Sequence, residues 1–309
     1  MENHRQVIII GSGPAGWTAA IYAARAGLKP LVITGLSVGG QMTITGDVEN
    51  YPGFAQPVNG PALMGDMEAQ AVACGAEIEY DIINDVDFSA RPFTLVGDAA
   101  TWTADAVIIA TGATARWLGV EGESKFHGNG VSACATCDGP FFKGQTVAVI
   151  GGGNTAAEEA IHLAGLCKKV YLIHRRDELK AEKILCERIS RLDNVEIIWN
   201  SKLDSIHGDQ TVTHVKVVST QGNNEVKELS VNGVFVAIGH DPATAFLQGK
   251  IATDSAGYIL IEPGRTKTNV EGVFAAGDVA DPHYRQAVTS AAMGCMAALD
   301  AEKWLRSFC

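Results

Sequence analysis

The residues with the most specific chemistry in this chain stand together at Cys134-Ala135-Thr136-Cys137-Asp138. Two cysteines with two residues between them can close a small disulfide ring, and such a pair exchanges electrons readily when one thiolate is stabilised locally. The adjoining carboxylate can move a proton. Zinc is the competing use of Cys-x-x-Cys, but a tetrahedral site needs two further Cys or His ligands and none is paired nearby. A redox pair needs a source of electrons, so the elements around it decide its meaning.

About ten residues downstream, Val147-Ala148-Val149-Ile150 leads into Gly151-Gly152-Gly153-Asn154-Thr155-Ala156 and an apolar helical pattern over 157–166. Strand, glycine turn and helix together make a dinucleotide cradle, in which backbone and helix dipole face a pyrophosphate. The next strand, 170–173, ends in His174-Arg175-Arg176 in place of an acid. That basic ending suits a 2′-phosphate and gives a 2′-hydroxyl no partner, so NADPH is expected over NADH. Gly151, Gly153, Asn154, Thr155, His174, Arg175 and Arg176 are the candidate contacts.

The N-terminus carries the same unit. Val7-Ile8-Ile9-Ile10 is followed by Gly11, Ser12, Gly13, Pro14, Ala15 and Gly16, then an Ala-rich helix over 17–26 and a strand at 31–33. Outside that context the glycines would indicate only close helix packing; within it they indicate a second nucleotide. No ribose-binding acid follows Ile33. A polar loop, Gly39-Gly40-Gln41-Met42-Thr43, and an ordered loop containing Asn50 follow, then a helix over 61–73. Short strands over 78–103 read as an antiparallel meander, and 106–112 as a buried strand ending in a tight loop with Thr111 and Gly112.

After the second cradle a helix is expected over 178–192, then a second meander from strands at 195–199, 211–218 and 225–230, closed by a strand at 234–239. The last third brings a strand at 272–278 with Gly277 and Asp278, then Arg285, Gln286 and Ala287 opening a helix to residue 304. Cys74, Cys167, Cys186, Cys295 and Cys309 read as packing or surface residues.

The 309 residues suggest two domains, and 47% apolar with 19% charged residues describes a globular chain. A net charge of −11 would repel phosphate backbones and anionic membranes. Seven irregularly spaced cysteines argue for a reducing compartment. With a strand starting at Val7 there is no room for a leader, and no apolar run reaches membrane-helix length, so a cytoplasmic protein is expected. A hydride carries two electrons and a disulfide accepts two; direct transfer to sulfur is poor chemistry, so the first cradle is expected to hold a flavin between them.

These motifs resemble the low-molecular-weight thioredoxin reductases of the flavin disulfide reductase superfamily. The resemblance covers essentially the whole length, and it rests on Gly11 to Gly16, Gly39-Gly40-Gln41, Ala110 to Ala113, Cys134 to Gly139, Gly151 to Thr155, His174 to Asp177, and Gly272 to Gln286. It implies an α/β chain of two Rossmann-like three-layer domains, each with an antiparallel meander. An FAD domain would be split between 1–113 and 245–309, and an NADPH domain over 114–244 would carry the cysteines. FAD would lie on Gly11 to Gly16 and Gly39 to Thr43, with Asp278, Arg285, Gln286 and Ala287 at its flavin end.

By the same resemblance, Cys137 would face the flavin, Cys134 would attack thioredoxin, and Asp138 would be the proton carrier. The NADPH domain would rotate between half-reactions on linkers near 114–119 and 239–245, and the protein would be a homodimer. Lys180 departs from the arginine usual in the basic motif, losing its planar fork. Three alternatives stand beside this reading: a flavoprotein serving another thioredoxin-like protein or a peroxiredoxin, a small-molecule dithiol oxidase, and a nonenzymatic NADPH-binding sensor.

Overall fold

The computed structural model describes residues 3–44, 46–222 and 225–307. It divides into two compact units, Met1–Thr114 with Asp241–Cys309, and Ala115–His240.

In the first unit the β-branched run forms the buried end of strand His4–Ile10. Val7 and Ile9 join one buried cluster with Trp17 and Ala298, while Ile8 and Ile10 join another with Leu95 and Val273. Both faces are covered, so the strand reads as continuously apolar. Across the sheet the order is Glu77–Glu79, Leu31–Ile33, His4–Ile10, Thr101–Ile109, Phe93–Gly97 and Ile83–Asp87, with Val273–Ala275 also paired to Thr101–Ile109.

The structure departs from the expected 78–103 meander in two ways. Glu77–Glu79 joins the parallel part of the sheet, in register with Leu31–Ile33. Thr101–Ile109 is one continuous strand, pairing antiparallel with Phe93–Gly97 and parallel with His4–Ile10. Its first half alternates buried and half-exposed residues, and its last four are buried throughout. One strand thus changes from a one-faced to a two-faced environment, which a reading by periodicity splits into two strands.

Helix Pro14–Arg25 starts with a proline in its first turn, where no N–H is missed. Against it packs helix Ala287–Arg306, so closely that a Cβ on Gly294 would fall 2.1 Å from the Ala15 carbonyl oxygen. Gly60–Ala73 is the third helix of the unit. No helix among the described residues is long and apolar enough to cross a membrane.

In the second unit all neighbours in the five-stranded sheet are parallel, in the order Val131–Ser132, Gly233–Val236, Thr146–Ile150, Lys169–Ile173, Val195–Ile198. Val195–Ile198 was expected in the meander; it instead extends this sheet, with Val170 opposite Val195. The meander is a separate antiparallel sheet of Ser201–Gly208, Val212–Ser219 and Val226–Ser230. Its first strand escapes a hydropathy reading because polar residues separate the inward Leu203 and Ile206.

The helix expected over 178–192 shrinks to Lys183–Ile189. Residues before it give their backbone donors to the glycine turn: Lys180 N–H to the Gly152 carbonyl at 2.7 Å and Glu182 N–H to Asn154 Oδ1 at 2.8 Å. A helix beginning at Glu178 would need the Glu182 N–H for the Glu178 carbonyl, and that donor is taken by Asn154.

Candidate functional site

Cys134, in extended backbone, caps a single helical turn, Ala135–Asp138. One turn brings positions three apart together, here to 5.3 Å between Cα atoms, and Cys134 and Cys137 are joined as a disulfide. Cys137 N–H points at Cys134 Sγ from 3.2 Å. Such a donor favours a thiolate on Cys134 once the bond is reduced.

Asp138 follows directly, its N–H on the Cys134 carbonyl at 3.1 Å. Burial raises its carboxyl above the usual carboxylate range, and a hydrogen bond from Ser132 opposes that rise. Ser132 also accepts the Cys134 N–H at 3.0 Å. This buried hydroxyl therefore links the backbone of the redox turn to its acid, a role that no pattern in the sequence signals.

The cradle of the first unit is shaped by what its glycines exclude. A Cβ on Gly11 would lie 2.3 Å from the Ala110 carbonyl oxygen, and one on Gly16 would lie 1.9 Å from the Gly11 carbonyl oxygen. On Gly13 it would meet nothing within 4 Å, which leaves an open face at the start of helix Pro14–Arg25. Ser12 is buried and holds two neighbours, donating to the Thr34 carbonyl at 2.9 Å and accepting Gly39 N–H at 3.1 Å. The Gly39 to Thr43 stretch, expected as a loop, is mostly a 3-10 helix, Gly40–Ile44, and Gly40 passes 3.7 Å from the Gly13 Cα when given a Cβ.

At the other end of this unit, Asp278 accepts Ser290 Oγ at 2.7 Å, and burial pushes its carboxyl up. Gly277 lies so near Ala15 that a Cβ would fall 2.9 Å from the alanine's own. Asp281 accepts the N–H groups of His283, Tyr284 and Arg285 at 2.9, 3.0 and 3.2 Å, folding the loop that presents Arg285 at φ +48°. Arg285 also hydrogen-bonds Tyr258 and the Pro282 carbonyl. Gln286 caps the helix that Ala287 opens and accepts Asn50 Nδ2 at 3.4 Å. Thr111 Oγ1 donates to the Ala243 carbonyl at 2.8 Å, and Gly112 takes φ +72°.

In the second unit a Cβ on Gly151 would lie 2.4 Å from the Ala237 carbonyl oxygen, and one on Gly153 would meet nothing within 4 Å. Asn154 opens the helix and exchanges two hydrogen bonds with Glu182, a partner missed by the sequence reading. Thr155 is half-buried in its first turn. Arg175, Arg176 and Lys180 are exposed, whereas His174 is buried. The residues of both cradles fit a dinucleotide: each has a closed glycine against the strand and an open one at the helix start, where backbone could approach a pyrophosphate.

Among the described residues, Cys74, Cys167, Cys186 and Cys295 form no disulfide. Cys167 is buried and burial pushes its thiol up to about 11; Cys186 donates to the Ala181 carbonyl at 3.6 Å. Cys74 packs beside the first core and Cys295 hydrogen-bonds Tyr22. Cys309 lies outside the described residues.

The family model described as pyridine nucleotide-disulphide oxidoreductase matches residues 5–294. A thioredoxin reductase of Rickettsia conorii is 53% identical over 99% of both chains. A protein of Pseudomonas fluorescens named glucosaminate ammonia-lyase is 54% identical over 98% of this chain and 96% of its own. The solved thioredoxin reductase of Giardia duodenalis superposes with a TM-score of 0.95 at 45% identity, covering 98% of this chain and 99% of that one. With two nucleotide cradles and a disulfide-forming pair on the same chain, the protein belongs to the pyridine nucleotide-disulphide oxidoreductase family.

Proposed function

We propose that this protein reduces the disulfide of thioredoxin with electrons from NADPH, relayed through FAD to the Cys134/Cys137 pair. The observation that carries the reading is the Cys134–Cys137 disulfide on a one-turn helix beside a buried acid. Bound FAD supplies a two-electron relay between a hydride donor and a disulfide.

In the unit of Met1–Thr114 with Asp241–Cys309, Gly11 to Gly16 and Gly39 to Thr43 would hold FAD, together with Asp278, Arg285, Gln286, Asn50, Thr111 and Gly112. Ala115–His240 holds NADPH on Gly151 to Thr155, with Arg175 and Arg176 on the 2′-phosphate.

In the reduced protein the Cys134 thiolate attacks one sulfur of the acceptor disulfide, forming a mixed disulfide and releasing the other sulfur as a thiolate. Cys137 then attacks Cys134 Sγ, which restores the Cys134–Cys137 bond and frees the acceptor as a dithiol. Asp138 gives up its proton to a departing thiolate, a task suited to a carboxyl raised by burial.

A second copy of this chain is the expected partner. Tyr22 and Phe54 are exposed and line a groove of about 310 Å³ with Tyr51 and Met67, and Met296 and Leu299 of the same unit are also exposed. The free cysteines suit a reducing compartment, so a cytoplasmic location is part of the proposal.

The Pseudomonas relative's name offers a second reading. Eliminating ammonia from an amino sugar acid moves no electrons to an acceptor, so it gives the disulfide no work. Purified protein should be yellow and should reduce thioredoxin, within a panel of thioredoxin-like proteins, using NADPH. Ammonia release from glucosaminate without thiol formation would replace this reading with the second.

A further inference from the structure

His174 begins the basic motif, yet its side chain does not share the surface with its neighbours. It is 7% exposed, while Arg175 and Arg176 are exposed. Its Nδ1 lies 3.0 Å from the Gly151 carbonyl oxygen. A carbonyl can only accept, so Nδ1 carries the proton and donates. Nε2 is buried with no partner among the described residues.

The ring fills the place where a side chain at Gly152 would stand: a Cβ there would fall 2.1 Å from ring atoms. Backbone bonds on both sides fix the residue, His174 N–H to the Ile198 carbonyl and Ser201 N–H to the His174 carbonyl, each at 3.0 Å. The imidazole therefore supports the glycine turn from below, and leaving that position would break one of its bonds.

We infer that His174 is a positioning residue for the dinucleotide: its imidazole holds the Gly151-Gly152-Gly153 turn in the shape that receives a diphosphate, and it does not read the 2′-phosphate. The inference rests on the second cradle being the nicotinamide nucleotide site. The corresponding place in the first unit is organised in reverse. There the turn itself supplies the side chain, Ser12, whose hydroxyl donates to the carbonyl of Thr34 at the strand end. In the second unit the strand end supplies the side chain and the turn supplies the carbonyl.

A diphosphate support and a 2′-phosphate ligand have different signatures. The FAD-loaded, oxidised full chain is titrated with NADP+ and with NAD+, which bind without turnover. His174→Leu fills the space without a donor and should weaken both nucleotides by about tenfold, the usual worth of one buried hydrogen bond. The NADP+ to NAD+ affinity ratio should stay unchanged. His174→Asn, whose amide can donate to Gly151, should recover most of the loss. In steady state the KM for NADPH should rise with kcat unchanged. FAD content and melting temperature show that each variant is folded.

A selective loss of NADP+ affinity in His174→Leu would overturn the inference, because the ring would then be touching the 2′-phosphate. Unchanged affinity for both nucleotides would also overturn it. Should His174→Leu not fold, Gly152→Ala displaces the ring and must weaken both nucleotides equally for the inference to stand. Arg175→Ala with Arg176→Ala is the separate arm: if it leaves NADP+ binding unaltered, the assignment of this cradle to NADPH fails, whatever His174 does.

Discussion

The two glycine turns are built to one plan and differ where each can choose a ligand. Both close one glycine against a neighbouring carbonyl, Gly11 on Ala110 and Gly151 on Ala237, and both leave another open, Gly13 and Gly153. The first has Gly16 where the second has Ala156, and only at Gly16 would a Cβ strike the turn itself. The ends of their second strands differ more. Thr34 is buried and offers its carbonyl to Ser12; His174 is followed by two exposed arginines. In the proposed reading, diphosphate binding is therefore assigned to the turn, and the choice between nucleotides to the strand end beside it.

The largest expected effects separate the disulfide from either cradle. Cys134→Ser or Cys137→Ser should abolish thioredoxin reduction while flavin reduction by NADPH, followed at the flavin absorbance, remains. Retained thioredoxin reduction in either variant would remove the pair from the pathway. Next in size is the first turn. Gly16→Val should yield colourless protein of lowered stability, because its Cβ has no room. Gly13→Ala should weaken FAD binding but keep the melting temperature of the apo protein, because its Cβ meets no atom within 4 Å. If both variants behave alike, the distinction between closed and open glycines is wrong.

The second cradle should respond selectively. Arg175→Ala with Arg176→Ala should raise the KM for NADPH by about 100-fold and leave that for NADH unchanged, since two charge-assisted contacts are lost only where a 2′-phosphate is present. An equal loss for both nucleotides would assign the arginines to the diphosphate instead.

The smallest effect concerns pH and stability. Burial raises Asp138, so folding favours its protonated form: the contribution is fully present below the ordinary Asp range and is lost as pH rises through the elevated value. Asp138→Asn should therefore gain melting temperature relative to the parent as pH rises, although thioredoxin reduction slows. A parent that instead gains on the variant with rising pH would reverse the sign argued for this carboxyl.

Much of this arrangement was legible from local patterns. Val7 to Ile10 and Val147 to Ile150 announce two-sided strands by continuous apolar runs, and the glycine spacing places the cradles after them. What escaped depends on partners distant in sequence. Thr101–Ile109 joins two kinds of sheet, so its period changes midway. The helix starts only at Lys183 because Asn154 takes the Glu182 donor that an earlier start would need. Ser132 and Glu182 matter through single hydrogen bonds, which leave no periodic trace. His174 illustrates the same point at the site itself: its residue type suggests a phosphate ligand, and only its burial beneath Gly152 shows a support.

The most direct test of the central claim is the thiol yield. FAD-loaded protein, limiting NADPH and excess oxidised thioredoxin are allowed to react to completion, and free thiols are counted. The account predicts two new thioredoxin thiols for each NADPH oxidised, and none when Cys134 and Cys137 are both replaced by serine. NADPH consumption without thioredoxin thiols in the parent protein, or the same thiol yield in the double variant, would contradict it.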